Sequence, residues 1–561
     1  MLLVFGPRST DYDFGPGHPL TPRRFGPGID LLRAVGAEPG LAPEPAPDPD
    51  LRLCHAPEYV EVVRRFSFDP YGFPEAGIGL GDNPPFPDMH DAGAAVAGGS
   101  LRAMEAILRG DVEHALHPGG GLHHAMRDRA SGFCIYNDPA LAIARARRDG
   151  LRVLYIDLDV HHGDGVQELF WDDPGVLTFS IHESGRYLFP GTGDISELGE
   201  GVAAGTSVNV PLLPGVGEQP WQTVLESLLP ELAAAFGPDL IVSQHGADSH
   251  AWDPLAHLNV TTTAHGAAAR LVDAISHRFA GGRWLATGGG GYDAYRVVPR
   301  TWALTWLAGA HRDVPSSTPA EWRDRWTAEG SRYGQAPLPE TFDDAPDVGA
   351  DDGPGGASVP PLTAAVRRVV VPRLVREAID RGWWDPLGPP ATQPEGGDRG
   401  VGAPAVLARV DAATWDRLTL APRVVAPSAP ADGHAIVAGA LRDGARVTAA
   451  MRGTLVVGLV VSRHADLAAR TDILAIGVAP PDRRAGLATR MLREHVEGMR
   501  PGDVEVAAEV TMAERDVVEP FDVRERASIA RRLLTSVAFE VQATDAGLTA
   551  VDPTAIVARR G

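Results

Sequence analysis

Asp157, Asp159 and His161 occupy alternate positions along the apolar run LRVLYIDLDV (151–160) and the histidine after it. In a strand, every second side chain shares a face, so all three would fall together. Burying two neighbouring carboxylates costs on the order of several kcal/mol unless they are paired or hold a metal. A divalent cation is the simplest compensation, and aspartate oxygen with imidazole nitrogen is an ordinary zinc set. The competing reading is a structural ion pair or a capped strand end. Three other stretches carry chemistry of the same kind. Tandem histidines, His123 and His124, follow the glycines 119–121. Gln244-His245-Gly246-Ala247-Asp248 sets a further carboxylate at a strand end. Gly288 to Gly291 run into Tyr292, a phenol on a bare turn.

The elements that must position these groups are legible as alternating patterns. LRVLYIDLDV (151–160), GVLTFSI (175–181), DLIVSQHG (239–246) and RWLATGGGG (283–291) read as strands with polar or glycine-rich ends. DPALAIARARRDG reads as a helix between them, and AGAAVAGGSLRAMEAILRG as one before them. Such alternation predicts an α/β fold, a parallel sheet with helices on both faces. Ligands in such folds bind beyond the carboxyl ends of the strands, where these polar residues fall. The acidic, Gly/Pro-rich stretch 337–361 reads as a long mobile loop. A helix over 363–384 is expected to break at Pro372. A second Pro/Gly-rich stretch suggests domains over 1–385 and 405–561, joined by a linker at 386–404.

Taken together, the motifs resemble the zinc-dependent histone deacetylase family of the arginase–deacetylase fold, and within it the acetoin-utilisation type. The matching stretches are YDFGPGHPLTPRR (12–24), GGGLHHAMRDRASGFCIYND (119–138), VLYIDLDVHHGDGVQ (153–167), FPGTGD (189–194), QHGADSHAWDPL (244–255) and GGGGY (288–292). The resemblance covers roughly residues 1–385. It implies Asp159, His161 and Asp248 as zinc ligands, and His123 and His124 as the paired histidines beside the metal. Asp157 and Asp164 would orient those two histidines. Tyr292 would donate to the reacting carbonyl, with His124 as general base and His123 tuning charge beside it. Phe133, Phe189 and Gly132 would line the acyl-lysine tunnel, Asp82 would hold substrate backbone at its rim, and Arg24 would line an internal channel. A potassium ion near carbonyls of the 157–161 strand and the Ser180 hydroxyl is also implied. The ligand types suit iron(II) as well as zinc.

The segment TDILAIGVAPPDRRAGLATRMLREHVEGM (471–499) resembles the GNAT acetyltransferases over about 405–561, implying a smaller α+β domain. Its Arg483-Arg484-Ala485-Gly486-Leu487-Ala488 turn opens a helix, where backbone N–H groups suit a pyrophosphate. The resemblance implies acetyl-CoA as cofactor there, held by Arg483, Arg484, Gly486 and Ala488. Val478 would lie on the strand facing the pantetheine arm, and Glu509 is a candidate base. An active transferase and a structural GNAT-like module both fit this segment.

Composition bounds the alternatives. A net charge of −22 over 561 residues argues against phosphate-driven nucleic-acid binding. Two cysteines, Cys54 and Cys134, exclude a disulfide scaffold and suit a reducing cytoplasm. The N-terminus lacks a signal-peptide pattern, and no apolar run is long enough to span a membrane. The function that the deacetylase resemblance implies is hydrolysis of acetyl-lysine amides in proteins, with an acetyl-CoA-forming ligase as one implied target. Acetylpolyamine amide hydrolysis and non-catalytic binding of acetylated partners are the rival expectations.

Overall fold

Strands of branched and aromatic residues form one parallel sheet in the computed structural model of the chain. They are β1 (Leu2–Val4), β2 (Pro39–Leu41), β3 (His114–His117), β4 (Val153–Asp157), β5 (Val176–Glu183), β6 (Ser207–Leu212), β7 (Leu240–Gln244) and β8 (Trp284–Thr287). Their order is β2-β1-β3-β8-β7-β4-β5-β6, and every pairing is parallel. Every residue of β3, β4, β5, β7 and β8 is buried, as expected for a sheet covered on both faces. One helical layer pairs Met89–Arg109 with Asp138–Arg148; another groups Glu218–Phe236, Thr262–Phe279 and Val298–Gly309. Asn137 caps the Asp138 helix by accepting from Ala140 N at 3.0 Å, and Thr261 caps the Thr262 helix in the same way.

The structure describes residues 1–79, 81–349, 355–380, 406–420, 430–452, 455–465, 470–478, 491, 495, 504–509, 539–541 and 555–560. The chain divides into units Met1–Leu374 and Val375–Gly561. In the second, β9 (Val406–Val410), β10 (Thr419–Leu420), β11 (Arg446–Arg452), β12 (Leu455–Ala465), β13 (Arg470–Val478), β14 (Val504–Glu509), β15 (Phe539–Val541) and β16 (Ala555–Arg560) form a mixed sheet. Its order is β15-β16-β14-β13-β12-β11-β9, with β10 beside β12. The proposed linker 386–404 and the turn carrying Arg483, Arg484, Gly486 and Ala488 lie outside the described residues.

Three local expectations are corrected. The metal-bearing strand ends at Asp157, so Asp159 and His161 stand beyond the sheet rather than on one strand face. Leu158 N still reaches Gln244 O at 3.0 Å. Thereafter Asp159 N turns to Asp157 Oδ1 (3.2 Å) and His161 N to Asp159 Oδ1 (3.0 Å). Side chains thus take over the amides the ladder would have used. Over residues 337–349, the acidic stretch is anchored, not loose. Leu338 and Phe342 are buried, and Asp344 accepts from Arg300, Thr262 and a ring nitrogen of His250. Finally, the helix Val359–Asp380 runs through Pro372. Val366, Val370 and Leu374 form a buried stripe along it, and this packing outweighs the roughly 3 kcal/mol that an interior proline costs.

Candidate active site

The carboxyl ends of five adjacent strands, β3, β8, β7, β4 and β5, each release a segment toward one point. From the β4 end come Asp159 and His161, and from the β7 end Asp248. One carboxylate oxygen of each aspartate and one ring nitrogen of His161 converge within 4.8 Å of one another, all buried. His161 Nδ1 stands 3.1 Å from Asp159 Oδ1 and 3.1 Å from Asp248 Oδ2. The other oxygens are tied back. Gly290 N (2.8 Å) and Gln244 Nε2 (3.1 Å) donate to Asp159 Oδ2, and Val160 N donates to Asp248 Oδ1 at 3.0 Å. Each carboxylate is therefore oriented with its remaining oxygen inward. Burial and the Asp159 charge raise Asp248 to about 6. Burial opposes ionisation of Asp159 too, but His123 and His161 outweigh it and hold that carboxyl low. Two buried carboxylates resisting each other across one imidazole fit a divalent cation.

The β3 end supplies His123 and His124. His123 Nδ1 donates to Asp157 Oδ2 at 2.7 Å, and His124 Nδ1 to Asp164 Oδ1 at 2.6 Å. The two Nε2 atoms lie 3.0 Å apart, a spacing that needs one N–H and one lone pair. Three protons, hence one positive charge, are shared by the two rings. Burial opposes that charge on His123, but Asp157 and Asp159 outweigh it and raise the imidazole to about 9. Burial and the His123 charge lower His124 to about 4. His124 is thus the ring able to accept a proton.

Gly132, Phe133, Tyr292, His123, His124, Asp159 and His161 line one narrow cavity. Gly132 holds φ +49°, and a Cβ there would stand 2.5 Å from His124 and 2.8 Å from Phe189. Only glycine leaves that passage open. Phe189 packs edge-on against His124, with centroids 5.0 Å apart. Phe133 packs against Tyr292 at 6.0 Å. Asp82 is exposed, and its carbonyl meets His18 Nε2 at 3.2 Å. His18 in turn packs on Phe133, a residue that lines the cavity. Arg24 is buried, donating to Gly289 O at 2.7 Å. Ser180 pairs with Asp157 in the β4–β5 register, and its hydroxyl meets His182 Nδ1 at 2.8 Å. Val478 and Glu509 lie on β13 and β14, opposite Gly458 and Ala555.

Several supporting residues were missed by spacing alone. The Tyr155 hydroxyl donates to Asp157 Oδ2 at 2.8 Å. Asp138 accepts from Gly121 and Leu122 N, fixing the glycine turn before the histidines. Asp253 accepts from Tyr292 N at 2.9 Å. Tyr155 could have been found, since it precedes Asp157 by two positions on the same strand face. Asp253 could not, because only the fold brings it to Tyr292.

The sheet is one already known among HDAC homologues. An HDAC homologue from Aquifex aeolicus matches with TM-score 0.58 at 28% identity, covering 65% of this chain and 99% of that one. An HDAC homologue complexed with SAHA matches with TM-score 0.59 at 29% identity and the same coverage. Residues 18–308 match the histone deacetylase domain, and the chain belongs to that family. Acetoin utilization protein AcuC of Bacillus subtilis is 41% identical over 354 residues, which are 62% of this chain and 90% of that protein. AcuC of Staphylococcus xylosus is 35% identical over 61% of this chain and 90% of its own length.

Proposed function

We propose that this protein hydrolyses the acetyl amide of acetyl-lysine in a protein substrate, using zinc held by Asp159, His161 and Asp248. The observation that carries the reading is the convergence of that three-ligand set with two histidine–aspartate couples and Tyr292 around one narrow cavity. When bound, the cation supplies Lewis acidity for an unreactive carbonyl and acidifies a water molecule. His124, neutral and steered by Asp164, takes the water's proton and later delivers it to the departing lysine amine. His123, kept charged by Asp157, offsets negative charge building beside it. Tyr292 donates its hydroxyl to the carbonyl oxygen as that charge develops. Gly132, Phe133 and Phe189 exclude water from the acyl-lysine chain, and Asp82 receives substrate backbone at the rim. Ser180 and nearby carbonyls provide for a potassium ion. The likeness to acetoin utilization proteins suggests an acetyl-CoA-forming ligase as target. Turnover of a panel of acyl-lysine peptides and acetylpolyamines, with metal analysis, tests the reading. Preference for acetylspermidine over every peptide would replace it with polyamine hydrolysis.

A second reading concerns the C-terminal unit, as an acetyl-CoA-dependent N-acetyltransferase. It is favoured by the parallel junction of β13 with β14 in a mostly antiparallel sheet. β13 and β14 pair only at Thr471–Val504 and Asp472–Glu505 among the described residues. Past that point no described residue pairs with the β13 backbone toward Val478 on that side, a place for an extended pantetheine arm to hydrogen-bond. Acetyl-CoA binding by calorimetry, absent in an Arg483→Ala/Arg484→Ala chain, is the expected result.

A further inference from the structure

We propose that His114, Asp273, His277 and His311 form a second divalent-metal site, structural in character and suited to zinc. It lies at the amino end of β3, whereas the candidate active site lies beyond the strands' carboxyl ends. His114 opens β3. Asp273 and His277 are one turn apart on Thr262–Phe279, and His311 follows the Val298–Gly309 helix. One ligand atom from each converges within 4.8 Å of the others. Asp273 Oδ1 stands 3.7 Å from His114 Nε2, 3.6 Å from His277 Nε2 and 3.2 Å from His311 Nε2. His277 and His311 Nε2 are 3.1 Å apart. Zinc bonds of about 2.0–2.1 Å in a tetrahedron require ligand atoms roughly 3.3–3.4 Å from one another. The four spacings bracket that value.

The state of His114 points independently to a ligand. Its side chain is 3% exposed. Its Nδ1 donates to Gly309 O at 2.7 Å, so the lone pair resides on Nε2. That Nε2 is buried without a hydrogen-bond partner among the described residues, and it faces the cluster. A buried unpaired imidazole nitrogen is costly, while a backbone carbonyl fixing the opposite nitrogen is the usual support of a metal-ligating histidine. His311 adds a further sign. It holds φ +52° just past a helix end, where glycine is the common choice. The left-handed turn brings its ring within 5.3 Å of His114 and 5.0 Å of His277. Three imidazoles and one carboxylate fill four positions, leaving none for a substrate, so the role is to staple β3 to two helices.

Zinc content of the tag-free full chain tests this. The wild-type chain is expected to carry about one zinc more than His311→Ala, with deacetylase turnover unchanged. His311 is 53% exposed, so the variant should fold. In an Asp248→Asn background, which breaks the other ligand set, adding His277→Gln should remove the remaining zinc. That pair also lowers the melting temperature and abolishes its rise with added zinc. Equal zinc content in wild type and His311→Ala, or in Asp248→Asn with and without His277→Gln, overturns the proposal.

Discussion

At the scale of single residues, the site depends on protons being held at named atoms. Tyr292 offers one donor to a charge that exists only during reaction. Tyr292→Phe is expected to lower kcat by about 10²–10³-fold with metal content intact; a variant that keeps most of its turnover would remove Tyr292 from the chemistry. Gly132 acts through what it lacks. Gly132→Ala places a methyl against His124 and Phe189 at a left-handed φ. Displacing a catalytic ring by a fraction of an ångström to about 1 Å costs up to about 10²-fold. We expect kcat/KM for acetyl-lysine peptides to fall at least tenfold, on the order of that estimate, with zinc still bound.

At the scale of elements, Asp344 is the pin of the acidic stretch. Arg300 and Asp344 are 0% and 2% exposed, with N–O at 2.8 Å. Asp344→Ala leaves the guanidinium buried and unpaired, a loss of about 3–5 kcal/mol, to be read by urea denaturation. Burial pushes the Asp344 carboxyl up, but the hydrogen bond from His250 and the Arg300 charge outweigh this and hold it well below the usual range. A depressed carboxyl stabilises fully above its unfolded pKa of about 3.9 and loses that contribution as pH falls through the folded value. The gap between wild type and Asp344→Ala should therefore narrow below about pH 4. A gap that stayed constant down to the acid limit would contradict the pairing.

For the whole molecule, buried neutral histidines set acid sensitivity. Burial lowers His55 to about 4, and His117 and His265 to about 3. Each is protonated near pH ~6.5 when unfolded. Stability held above that pH is lost as pH falls toward the folded values, at about 1.4 kcal/mol per pH unit for each ring. Unfolding free energies measured between pH 7 and 4 should fall steeply; a flat profile would mean these rings take up protons in the native state. The relatives align with only 62% of the chain. Residues 1–380 alone should accordingly retain peptide deacetylation, as kcat/KM of the truncated chain would show.

Much of this was legible in the residues themselves. Period-two and helical patterns predicted a parallel sheet with helices. Asp157, Asp159, His161, His123, His124, Asp248 and Tyr292 could be singled out because strand ends with polar residues mark a site in such folds. Their grouping did not follow from spacing. It depends on the order β3-β8-β7-β4-β5, which sets five separate strand ends side by side. Nor could spacing show that the chain leaves the sheet at Asp157, since competing Asp157 and Asp159 side chains take the amides. The stretch read as a loop because it is acidic and rich in Gly and Pro, and spacing could not show that Arg300 supplies the opposite charge and His250 a hydrogen bond. His114, Asp273, His277 and His311 carried no local pattern beyond one helical turn. Sequence determined which groups could do chemistry; tertiary structure alone decided which would meet, because convergence is a property of packed elements and not of neighbours along the chain.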